Sequence, residues 1–98
     1  MLKRIEAKVV GRVQGVLFRD FTRRSALRLG IVGTVENSPD GSVLVVAEGE
    51  EDVLQQLLLI LRKGSTLSRV DKVEVLTKEA THEFQTFEIR YSNLWDRL

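Results

Sequence analysis

The chain has 98 residues, 43% of them apolar and 30% charged, the balance of one soluble globular domain with a usable core and no room for a second module. A net charge of +1 leaves no broad basic field to draw it onto nucleic acid or acidic lipid. The lack of cysteine removes disulfides, thiol nucleophiles and thiolate metal sites together, and the single histidine, His82, has no companion at metal-ligand spacing.

The opening stretch MLKRIEAKVV is alternating and charged, unlike a signal peptide or a membrane span, so a cytoplasmic protein is expected. Residues 4–13 put Ile5, Ala7 and Val9 on one side and Arg4, Glu6 and Lys8 on the other, a strand with one wet face. A glycine-spaced turn, Gly11 to Gly15, follows. A helix then reads from Arg19 to Leu29, with Phe18, Phe21, Ser25 and Leu29 near one stripe and Gly30 as its stop. A second strand spans Ile31 to Asn37. The turn SPDG, Ser38 to Gly41, joins it to a third, Ser42 to Glu48, as a hairpin. Gly49 and the acidic run Glu50, Glu51, Asp52 open a second helix, where carboxylates suit the positive end of the helix dipole. Val53, Leu54, Leu57, Leu58, Ile60 and Leu61 cover one broad face of that helix, and Gly64 ends it. A fourth strand reads from Arg69 to Leu76 and a short fifth from Phe84 to Tyr91, before the tail SNLWDRL. This order, β-α-β-β-α-β with an extra strand, predicts an α+β, ferredoxin-like sandwich: an antiparallel sheet with two helices on one face. One domain over residues 1–91 and a tail over 92–98 are expected.

The topology makes a geometric forecast. The upper end of the second strand lies beside the start of the first helix, with one strand between, so the two are roughly 10 Å apart. If Val35 is core, Asn37 shares its face and looks into the space beside Arg19. A cation at a helix N-terminus faces the positive end of the dipole and is misplaced unless an anion sits between them. The unpaired amides entering such a helix form a nest for phosphate, glycine permits the positive φ values it needs, and arginine adds a planar fork of donors. The pattern is a cradle for one tetrahedral dianion with an amide side chain nearby.

At these residues the sequence strongly resembles the acylphosphatase family. GRVQGVLFR matches that family's G-x-V-Q-G-V-x-F-R, and GTVENSPDG matches its second block, G-x-V-x-N-x-x-D-G. The likeness covers residues 4 to 91. By that resemblance Arg19 binds the phosphoryl group and Asn37 orients the attacking water. The backbone amides of Gln14, Gly15, Val16, Leu17, Phe18 and Arg19 hold the phosphate oxygens, and the reaction is hydrolysis of a carboxyl-phosphate anhydride to carboxylate and inorganic phosphate. Two features depart from the pattern. Thr34 stands where the family usually has an aromatic residue, which should thin the packing near the site. The tail from Ser92 to Leu98 runs past the usual end.

The resemblance fits what the chain lacks. Phosphoryl transfer depends mainly on positioning and charge stabilisation, and a carboxylate leaving group of pKa about 4 needs no general acid. No metal and no cofactor are implied. Phosphate should compete as product, and phosphate monoesters, with poorer leaving groups, should be poor substrates. Gln14 reads as structural through its side chain, and Arg23, Arg24 and Arg28 read as solvated. Leu59, Leu94 and Trp95 are candidates for a self-association patch, though a monomer is expected. An RNA-binding module is disfavoured because the open sheet face offers Arg4, Glu6, Lys8, Leu44 and Val46 and no aromatic pair. A phosphate-binding sensor without turnover would use the same cradle and stays open on sequence alone.

Overall fold

In the computed structural model, which describes residues 1–93 and 95–97, alternation of apolar and polar residues builds a five-stranded sheet in the order β4-β1-β3-β2-β5. The elements are β1 (Leu2–Arg12), α1 (Phe18–Arg28), β2 (Val32–Asn37), β3 (Val43–Glu50), α2 (Glu51–Lys63), β4 (Arg69–Glu79) and β5 (Phe87–Arg90), followed by a single 3-10 turn, Trp95–Arg97. The ferredoxin-like arrangement is the expected one, and four strands are antiparallel to their neighbours. The short fifth, whose direction periodicity does not fix, joins β2 in parallel. β4 runs past the expected Leu76 to Glu79 because its last residues pair with the start of β1, Lys78 opposite Arg4 and Glu79 opposite Lys3. That end is polar and wet, so alternation of hydrophobicity does not reveal it.

Register sets the core. Ile5 faces Ala47, Ala7 faces Val45 and Val9 faces Val43 across β1 and β3, all six buried. α1 packs over β2 and β5, and α2 over β1, β3 and β4. Leu54, Leu57, Leu58 and Leu61 of α2 are buried, as are Phe18 and Ala26 of α1. Each fully buried leucine stabilises the fold by about 1.5–3 kcal/mol.

The opposite face is closed by a buried carboxylate. Glu48 Oε2 accepts hydrogen bonds from the Thr81 amide (2.8 Å) and hydroxyl (2.9 Å) and from Arg4 (3.2 Å), and Glu48 Oε1 accepts one from the His82 amide (3.0 Å). These bonds fix residues 80–86 as they cross from the β4 edge to the β5 edge. His82 lies in that crossing, exposed, with φ 61°. Burial pushes the Glu48 carboxyl up, but the amides of Thr81 and His82, the Thr81 hydroxyl and Arg4 outweigh it and hold the pKa below the usual range.

Strand directions decide where a site can form. β1, β2 and β5 run the same way. Their C-terminal ends, the loop after β1 and the start of α1 therefore gather at one end of the sheet. Thr34 is elsewhere. It is buried beside Val46 and Glu88 on the face away from the helices, the face opposite Val35 and Asn37. A packing loss at Thr34 would therefore fall on the far side of the sheet from Asn37, which corrects the expectation drawn from its departure from the pattern.

Candidate active site

The loop from Val13 to Phe18 is held at both ends and between. Val13 and Phe18 are buried and anchor its two ends. Gln14 Nε2 donates to two carbonyls of the β2–β3 turn, Ser38 O and Ser42 O, each at 2.8 Å. Its side chain is therefore the strut the sequence suggested, tying the loop to the hairpin that carries Asn37. Gly15 has φ 73°, and Leu17 has φ 64° with ψ 22°, so positive-φ residues flank Val16. Such alternation turns successive amides inward as a nest. A leucine at positive φ is strained by about 1–2 kcal/mol, the kind of strain that collects at functional loops. Leu17 is 72% exposed, so burial does not explain its conformation. None of the amides from Gly15 to Asp20 donates to another described residue.

Gly11, by contrast, is not part of the turn. It lies within β1 at the irregularity opposite β4, where a Cβ would fall 2.1 Å from Arg69 O. Its need for glycine is a close backbone approach.

Arg19 and Asn37 meet as the topology requires. The Arg19 side chain turns inward, 19% exposed, with its guanidinium 5.1 Å from the centre of the Tyr91 ring. Asn37 ends β2 on the helix side, and both line a pocket of about 240 Å³ together with Val13, Gly15, Leu17, Phe18, Asp20, Ile89 and Tyr91. Asn37 Oδ1 is buried there without a hydrogen-bond partner among the described residues. Asp20 pairs with Arg24 one turn along α1 (2.9 Å) and leaves Arg19 free of it. A wider cleft of about 690 Å³ opens beside Lys3, Glu50, Glu51, Asp52 and Thr77. Three carboxylates outnumber its two cations, Lys3 and the Met1 ammonium that pairs with Glu50, so its chemistry does not suit phosphate.

Sequence reasoning missed two residues of the site. Tyr91 supplies the aromatic wall behind the guanidinium. Asp96, from the tail, sets its Oδ1 3.0 Å from Arg19 Nη1 and accepts a hydrogen bond from Asn37 Nδ2 at 3.2 Å. Arg19 Nη2 also donates to the Asp96 carbonyl at 2.9 Å. The Ser92 amide, above all, holds the Asp96 carboxyl below its usual range; Arg19 and Asn37 add to this against the opposing effect of burial. Alternation through Phe87 and Ile89 puts Tyr91 on the helix face without naming its partner, and no periodicity marks Asp96, whose contact with Arg19 closes across 77 positions of sequence. Trp95 is exposed, as is Leu59, while Leu94 lies outside the described residues.

The chain is similar to known proteins over most of its length. The sequence model of the family described as Acylphosphatase matches residues 5–89. The chain is 46% identical over 88 residues to an acylphosphatase of Salinibacter ruber, covering 90% of this chain and 93% of that one. It is 50% identical over 86 residues to an acylphosphatase of Nitratidesulfovibrio vulgaris, covering 85% of each. The crystal structure of acylphosphatase from Bacillus subtilis superposes with a TM-score of 0.87 at 36% identity, over 93% of this chain and 100% of that one.

Proposed function

The chain belongs to the acylphosphatase family and hydrolyses acyl phosphates to a carboxylate and inorganic phosphate; we propose that Arg19 and the amides of residues 14–19 hold the phosphoryl group while Asn37 aims the attacking water. One observation carries this assignment: the part-buried Arg19 guanidinium and Asn37, whose buried Oδ1 has no hydrogen-bond partner among the described residues, line one pocket, and the group they hold between them is an anion, the Asp96 carboxylate. A buried polar atom without a partner is costly, by about 1–3 kcal/mol. A bound phosphoryl oxygen would take the carboxylate's place on Arg19, and a water proton would satisfy Asn37 Oδ1.

The step is an in-line displacement at phosphorus. Water oxygen bonds to phosphorus as the bond to the acyl oxygen breaks, and the acyl oxygen leaves as a carboxylate. A dianionic acyl phosphate and one water become a carboxylate and dihydrogen phosphate, so both water protons end on phosphate. Asn37 is an amide and takes no proton at neutral pH; it acts by orientation. The guanidinium and the nest meet the charge of the equatorial oxygens, the part of the reaction where electrostatic stabilisation has most effect. The leaving group needs no acid, and on this scheme the reaction runs without a metal. The protein acts as a cytoplasmic monomer, and phosphate inhibits it by competition.

The test is hydrolysis of an aromatic acyl phosphate with and without chelator, and with added phosphate. Asn37→Ala should lose on the order of 10²-fold or more in kcat and still bind phosphate, as for loss of one preorganised transition-state contact. Arg19→Ala should lose both. Purified protein that leaves the substrate at its spontaneous rate of decay, or loses its rate to chelator, would refute the scheme.

A further inference from the structure

We infer that the C-terminal segment is a built-in competitor: the Asp96 carboxylate takes the place of the phosphoryl anion between Arg19 and Asn37, and substrate enters only as that segment swings out. The inference rests on the assignment of Arg19 and Asn37 above.

Three observations support it. First, the carboxylate makes the contacts expected of a substrate oxygen: Oδ1 lies 3.0 Å from Arg19 Nη1 and accepts from Asn37 Nδ2 at 3.2 Å. A dianion and a carboxylate cannot share one guanidinium in a part-buried pocket without strong repulsion, so the two occupants exclude each other. Second, the segment folds on itself. The Ser92 amide donates to Asp96 Oδ2 at 3.0 Å, and the Asp96 amide donates to Asn93 Oδ1 at 3.0 Å. The carboxylate is thus presented already oriented, with little left to order on docking. Third, among the described residues, every hydrogen bond from residues 92–97 to the rest of the domain ends on Arg19 or Asn37. Trp95 beside it is 78% exposed and adds no apolar anchor. An anion that takes Arg19 therefore removes the bonds that Asp96 makes to it.

The contact is also incomplete, and so it can be displaced. The amides of Gly15 to Asp20 give nothing to Asp96. A tetrahedral dianion that engages both the guanidinium and those amides makes more contacts than the carboxylate does. Apparent affinity for substrate is then the intrinsic affinity scaled by the fraction of molecules whose site is open.

Asp96→Asn and Asp96→Ala are compared with the unaltered chain on an aromatic acyl phosphate and on inorganic phosphate. KM and the inhibition constant of phosphate should both fall about fivefold, a docking preference of about 1 kcal/mol at 1.4 kcal/mol per factor of ten, with kcat within about twofold. Trp95 is the single tryptophan, so its fluorescence reports the segment directly. Phosphate should shift that signal in the unaltered chain with a midpoint equal to its inhibition constant. In Asp96→Ala the shift should vanish while phosphate still inhibits. KM and phosphate affinity unchanged or weaker in both variants, or a Trp95 signal that saturating phosphate leaves still, overturns the inference. If the site assignment itself were at fault, Arg19→Ala would bind phosphate as tightly as the unaltered chain. If only the competitor were at fault, Arg19→Ala would stay defective while the Asp96 variants changed nothing.

Discussion

Gln14→Ala is the sharpest probe of how the loop is held. The side chain donates twice, to Ser38 O and Ser42 O, both at 2.8 Å. Each carbonyl keeps a second donor when Gln14 is lost, because Gly41 N–H also reaches Ser38 O and Ser38 N–H also reaches Ser42 O. No carbonyl is left bare, so the expected loss is that of two ordinary net hydrogen bonds, about 1–2 kcal/mol, and not the larger penalty of buried orphans. For a domain of this size that is a fall in Tm of roughly 4–16 °C. The same bonds set the distance between the phosphate loop and Asn37, so kcat should fall on the order of tenfold as the water and the phosphoryl group lose their alignment. Gln14→Glu should be no better, since a carboxylate has no proton to donate to either carbonyl. Thermal unfolding by circular dichroism and steady-state hydrolysis together test this. A Gln14→Ala protein with an unchanged Tm and an unchanged kcat would show that the strut neither stabilises the loop nor sets its position.

Two further predictions concern backbone strain and acid stability. Leu17→Gly removes a left-handed leucine worth about 1–2 kcal/mol of strain and adds about 0.4–1 kcal/mol of unfolded-chain freedom, so urea unfolding should show equal or slightly greater stability. Leu17→Val, branched at Cβ, should unfold at lower urea than either; a clear loss in Leu17→Gly would contradict the strain. Glu48 has a depressed pKa when folded, so its ionised form stabilises the protein above the unfolded value of about 4.3, and that stability is lost as pH falls through the folded value. Glu48→Gln should therefore be less stable than the unaltered chain at pH 7, with the gap closing as denaturation is repeated toward pH 3. A gap that stays constant with pH would show that the carboxylate's charge is not what secures residues 80–86.

Much of this protein is legible without coordinates because the signals are local. The alternation of Ile5, Ala7 and Val9 fixes which face of β1 is buried, and the spacing of Leu54, Leu57, Leu58 and Leu61 fixes the inner side of α2. SPDG marks the hairpin, and the two glycine-bearing blocks bring Arg19 and Asn37 to one end of the sheet once the order of elements is known. What the tertiary structure alone decided are relations between distant segments. Thr34 faces away from the site because strand pleating, not nearness in sequence to Asn37, assigns its side. β5 runs parallel to β2, which points Tyr91 and the tail at the pocket. Glu48 finds its donors some 33 residues on, and Asp96 finds Arg19 across 77. Periodicity records which side of an element is wet. It holds no information on which far segment a lone carboxylate will meet, since that depends on chain directions and on the charge waiting at the end of the sheet.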